Sequence, residues 1–95
     1  MEIRDKGTAD IFNGINSKAA RKSCPATLHE KAAFQLDQIN NARTFADLTV
    51  PPGNKLHALS RERKGQHAIE INKQYRICFR WVDGEAFDVE ITDYH

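Results

Sequence analysis

The hydrophobic pattern changes period near the middle of the chain. Within "ATLHEKAAFQLDQINNAR", Leu28, Ala32, Leu36 and Ile39 recur at spacings of four, four and three. That places them on one stripe of a helix that packs against something else. Pro25 stands at the entrance of this helix, where a missing N–H costs little. Thr27 and Glu30 have capping-box spacing, which predicts an ordered start at Thr27. Upstream, "KGTADIFNG" predicts a short helix closed by Gly14. "MEIRD" reads as a short strand, and "INSKAARKSCP" is polar and irregular enough to read as a loop.

"TFADLTVPPGN" ends the helical region, because two prolines and a glycine force a turn. Beyond it the period falls to two. "KLHALS", "HAIEIN", "YRICFRWV" and "AFDVEITD" read as strands joined by the short polar links "RERKG", "NKQ" and "DGE". Two helices followed by four strands in hairpin succession predict an α+β fold: N-terminal helices on one face of a small, mainly antiparallel sheet. The other face is then free for function. At 95 residues the chain is one domain, residues 1–95, with a small core.

Alternation assigns the faces. Phe87, Val89 and Ile91 should face the helices, and Asp88, Glu90 and Thr92 should face away unless a bulge intervenes. Ile77 and Phe79, with Tyr75, oppose Arg76, Cys78 and Arg80. Leu56 and Ala58 alternate with His57 and Leu59. Arg76, His57 and the terminal Asp93-Tyr94-His95 therefore meet across one sheet surface. Such a set suits cleavage of RNA by its own 2′-hydroxyl. That reaction needs a base for the hydroxyl, a cation for phosphate charge and an acid for the leaving 5′ oxygen, and it requires no metal. Tyrosine can stack on an unpaired base. Each residue also has a plainer use. His57 can cap a strand, Arg76 can pair with Glu90 or Asp88, and Tyr94 can seal the core edge. His29 and His67 read as surface histidines.

Composition narrows the class without deciding it. Hydrophobic residues make up 40% and charged residues 28%, with a net charge of +1, as in a soluble globular domain. The charge is unevenly placed. Residues 54–80 hold seven basic and two acidic side chains, whereas residues 81–95 hold five acidic ones and no Lys or Arg. This fits either a face that meets phosphate or cross-strand ion pairing. Cys24 and Cys78 have no CxxC or zinc-site spacing and read as thiols of a reduced, cytoplasmic protein. No metal or cofactor motif occurs, and no apolar run is long enough for a signal peptide or a membrane span.

The segments "DIFNG", "PPGNKLHAL", "KGQHAIEIN", "QYRICFRW" and "DVEITDYH" together resemble the HigB toxins of the RelE superfamily, also described as plasmid maintenance system killer proteins. The resemblance runs from about Asp5 to His95. It implies a RelE-like fold and a ribosome-dependent endoribonuclease that cuts messenger RNA in the A site. The products would be a 2′,3′-cyclic phosphate and a 5′-hydroxyl. It also implies a HigA-like helix-turn-helix antitoxin, through which the pair would bind operator DNA. Carried over by residue, His57, Arg76, Asp93, Tyr94 and His95 match the catalytic set. Lys55, Arg61, Arg63, Lys64, Lys73 and Arg80 would contact RNA or ribosome.

Two departures stand out. The family commonly reads "SIRIN" where this chain has "AIEIN", so Glu70 replaces a phosphate-facing arginine. In "SRER", Ser60 stands where some members carry a lysine, and Arg61 replaces a glycine. The expectation is an attenuated toxin. The alternative is an inactive homologue that acts mainly as an antitoxin-binding co-repressor.

Overall fold

The computed structural model describes residues 1–93 and divides them into a helical half and a sheet. The helices are α1 (Lys6–Phe12), α2 (Lys18–Ser23) and α3 (His29–Asn41). The strands are β1 (His57–Ala58), β2 (His67–Glu70), β3 (Tyr75–Val82) and β4 (Glu85–Asp93). Spatial order equals chain order, β1-β2-β3-β4, and every pair is antiparallel. This is the α+β arrangement that the change of period implies. The β3–β4 link is a two-residue turn with Asp83 and Gly84 at φ 50 and 79°, the backbone that a tight hairpin demands.

The stripe on α3 forms as expected. Ala32, Leu36 and Ile39 are buried in one core with Ile69, Ile71, Ile77 and Phe79 of the sheet. The start of the helix differs. Ala26–Leu28 form a 3-10 turn, α3 begins at His29, and no side chain caps it. The capping box occurs instead at Thr44 and Asp47, on the 3-10 turn Phe45–Thr49. There the backbone N–H groups of Thr44 and Arg43 hold the Asp47 carboxyl below the usual carboxylate range.

The stretch expected to be a loop contains α2. Ser17 caps it by accepting the Ala20 N–H at 3.0 Å. Its six residues bury only Ala20, so no apolar stripe could develop in the sequence. What holds α2 is a close approach to α1 at Gly7. A Cβ there would lie 2.5 Å from the Ala19 carbonyl oxygen and 2.2 Å from Ser23 Oγ. Helix α1 is tied to the sheet in turn. The buried Thr8 hydroxyl accepts the Ile91 N–H at 3.0 Å.

Three strand expectations are corrected. "MEIRD" makes a single parallel bridge, Ile3 to Val89, along the outer edge of β4. In "KLHALS" only His57–Ala58 is strand, because Lys55 turns left-handed at φ 51° before it and Arg61 at φ 56° after it. In β4 the alternation resets at a bulge. Cys78 lies opposite Glu90 but Arg80 lies opposite Phe87, and Asp88 takes φ 52° to fit the extra residue. Ala86 therefore joins Val89 and Ile91 in the core, and Phe87 turns to the outer face with Arg80. His67 is no surface histidine. It lies on the helix side with Ile69 and Ile71, its ring edge-on to Phe45 at 4.7 Å. His29 is half-buried, with Nε2 2.9 Å from the Cys24 carbonyl.

The backbone contact at Gly7 cannot be relieved by turning a side chain. Gly7→Ala should lower unfolding stability by about 1–3 kcal/mol, the usual cost of overpacking. A urea titration of the two proteins measures it, and an unchanged midpoint would rule out the close packing of α1 on α2.

Candidate active site

On the outer sheet face, register places His57, Ala68, Cys78 and Glu90 in one cross-strand row. Glu70, Arg76 and Thr92 form the next row. Ala68 and Cys78 are small and fully buried, so they make a floor rather than a reactive surface. Burial pushes the other thiol, Cys24, up to about 11, which keeps it protonated. Both cysteines are free.

A cleft of about 540 Å³ opens beside these rows. Its walls include His57 from β1, Arg61 and Arg63 from the β1–β2 link, Arg76 from β3, and Thr92 and Asp93 from β4. The expected meeting of His57, Arg76 and Asp93 on one surface is what the cleft shows. His57 Nδ1 lies 2.8 Å from the Lys55 carbonyl oxygen. A carbonyl can only accept, so Nδ1 carries the proton, and Nε2 of the neutral ring keeps its lone pair. The left-handed turn at Lys55 aims that carbonyl. Arg76 is half-buried and donates from Nε to Thr92 Oγ1 at 3.4 Å. Asp93 Oδ2 accepts from Gln74 Nε2 at 3.3 Å. Tyr94 and His95 lie outside the described residues.

Pairing among the charges differs from expectation. Glu90 pairs with Arg63 at 2.8 Å and Arg4 at 3.6 Å, and Asp88 pairs with Arg80 at 3.1 Å. Neither is an ion-pair partner of Arg76 as anticipated. Arg63 is further fixed by Gln66 Oε1 at 2.9 Å. Lys55, Lys64, Lys73 and Arg80 are not walls of the cleft. Glu70 is not a wall either, although it sits directly opposite Arg76 in the β2–β3 register. Thr92 was given no role by the sequence, and its hold on Arg76 is visible only once β3 and β4 are in register. Among the described residues no group of three or more His, Cys, Asp or Glu is placed to hold a metal ion. No described helix is long and apolar enough to cross a membrane.

The profile of the family described as HigB-like toxin, "RelE-like toxin of type II toxin-antitoxin system HigB", matches residues 2–95. The chain belongs to the HigB-like toxins. This HigB-like toxin is 31% identical over 88 residues to Toxin HigB-1 of Vibrio cholerae, covering 93% of this chain and 90% of that one. It is 30% identical over 69 residues to Endoribonuclease HigB of Proteus vulgaris, covering 66% of this chain and 75% of that one. Membership in a type II system means that an antitoxin is the partner of a HigB-like toxin.

Nitrogen-15 spectra of the neutral imidazoles should find His57 predominantly as the Nδ1–H tautomer. A predominant Nε2–H form would contradict the bond to Lys55.

Proposed function

We propose that this HigB-like toxin is an endoribonuclease that cuts messenger RNA in the ribosomal A site and so stops translation. The observation that carries the reading is the convergence of His57, Arg76 and Asp93 on one cleft, with His57 Nε2 left able to take a proton. A relative matched over 66% of the chain bears the name endoribonuclease, which supports the same chemistry.

In this mechanism the 2′-oxygen attacks phosphorus and the bond to the 5′ oxygen breaks. A 2′,3′-cyclic phosphate and a 5′-hydroxyl result. One proton must leave the 2′-hydroxyl and one must reach the 5′ oxygen. His57 and the tail from Asp93 to His95 supply these transfers. Arg76, steadied by Thr92, meets the growing charge on the phosphate oxygens. Tyr94 stacks on the base, and exposed Arg61 contacts the neighbouring backbone. No step requires a metal ion.

Free RNA would be a poor substrate. Arg63 and Arg80 are engaged by Glu90 and Asp88, which takes two of the six expected RNA-contacting cations away from the capture of a flexible strand. A ribosome that presents the codon supplies the missing orientation. A HigA-like helix-turn-helix antitoxin would restrain the toxin in the cytoplasm and carry the pair to operator DNA. No membrane is involved.

Mapping 5′ ends of a messenger on programmed ribosomes tests this reading. New cuts should fall within the A-site codon. Replacing His57, Arg76, Tyr94 or His95 by alanine should slow them by about 10²–10⁴-fold. A folded, ribosome-bound chain that makes no cuts would sink the nuclease reading and favour the co-repressor.

That second reading has one observation behind it: Glu70 faces the same side as Arg76, directly across the strand pair. A carboxylate a few ångströms from the phosphate site opposes it by about 1–3 kcal/mol at a surface dielectric. Glu70→Arg should therefore speed cleavage by roughly ten- to a hundredfold. Single-turnover rates compare the two proteins, and an equal rate would clear Glu70 of any attenuating role.

A further inference from the structure

Helix α3 buries four residues, and Gln35 is the polar one among them, only 3% exposed. An apolar side chain would complete the stripe at this position. A buried amide is costly there unless its bonds accomplish something. Its Nε2 donates to the Glu70 carbonyl at 2.7 Å and lies 3.4 Å from Asn54 Oδ1. The orientation is determined by chemistry. The Glu70 carbonyl can only accept, so the atom beside it must be nitrogen, and the near atom of Asn54 must then be its oxygen.

Both partners lead to the cleft. Asn54 is buried at 4% exposure, in the 3-10 turn Pro52–Asn54. The next residue is Lys55, whose N–H is held by the Pro52 carbonyl at 3.1 Å. The Lys55 carbonyl in turn fixes the His57 ring. On the other side, Glu70 is the last residue of β2 and stands opposite Arg76. One amide in the helical layer thus holds the segment that carries His57 and the strand end that faces Arg76.

We propose that Gln35 is a positioning residue of the active cleft, acting through Asn54 and Lys55 on His57 and through the Glu70 carbonyl on the Arg76 wall. It touches no substrate. The inference rests on the nuclease reading only where activity is concerned. The effect on the His57 ring is independent of it. A glutamine that merely filled space would be replaceable by methionine without consequence for a ring on the far face of the sheet.

The experiment compares the full chain with Gln35→Met and with Asn54→Ala, the latter cutting the same link while leaving the helix stripe intact. Folding is checked by circular dichroism. Nitrogen-15 spectra report the His57 tautomer, and single-turnover cleavage on saturating programmed ribosomes reports the rate. In both variants the Nδ1–H tautomer should give way to a mixture. Cleavage at saturation should fall about ten- to a hundredfold, the cost of a misplaced catalytic group, with ribosome affinity little changed. Asn54→Ala should cost nothing further on a His57→Ala background, since both act through one group. Folded variants that keep the parental tautomer would overturn the proposal, as would an Asn54→Ala loss that adds fully to that of His57→Ala. If the parent itself does not cut but the tautomer shifts in both variants, the positioning role stands and the nuclease reading falls.

Discussion

One side of the sheet carries the large apolar side chains that pack under the helices, and the placement of Arg76 and Thr92 on the opposite side follows from that constraint. Ile69, Ile71, Ile77, Phe79, Val89 and Ile91 all turn to the helical layer. A slip of one residue in any strand pair would move a whole apolar set into water and a polar set into the core. Register is therefore fixed by burial, and the outer rows inherit it. His57 reaches the same surface as Arg76 and Thr92 because it pairs with Ala68 in the β1–β2 register, while Ile69 and Ile77 pack into the core. The bulge at Asp88 is the one place in the β3–β4 ladder where the alternation resets. It lets Ala86 and Val89 both face inward while shifting Asp88 toward Arg80.

The two charge blocks in the sequence fitted a phosphate-binding face but favoured cross-strand pairing. The structure shows the pairing. Arg63 and Arg80, from the basic block, pair with Glu90 and Asp88 from the acidic one. The exposed Arg80–Asp88 pair contributes little to stability, about 0–1 kcal/mol, whereas Arg63–Glu90 is half-buried. Their effect is to hold long side chains in place and to lower the field that a free polyanion would meet. A net charge of +1 agrees with that moderation.

The legible parts of the sequence were those governed by period. The α3 stripe, the order of the strands and the shared face of His57 and Arg76 follow from spacings of three, four and two. What escaped was set by single contacts. Helix α2 depends on the Ser17 cap and on bare space at Gly7, neither of which makes a pattern. Phe87 and His67 sit where they do because of a bulge and a register, not because of their own polarity. The partners of Arg76 were misread for the same reason. Glu90 looked available to it until the β1–β2 link brought Arg63 within 2.8 Å.

The site is also built differently from the side-chain triads that sequence motifs report. Its histidine is oriented by a main-chain carbonyl, and that carbonyl by a left-handed lysine whose side chain is incidental. A motif search cannot see such an arrangement, because the information lies in backbone angles rather than residue types. The cleft, about 540 Å³, is open to water. Catalysis by fixed dipoles gains most when water is excluded and the reacting groups are already aligned. A large body that presents the RNA and closes over the cleft would provide both, and the ribosome of the proposed function is such a body.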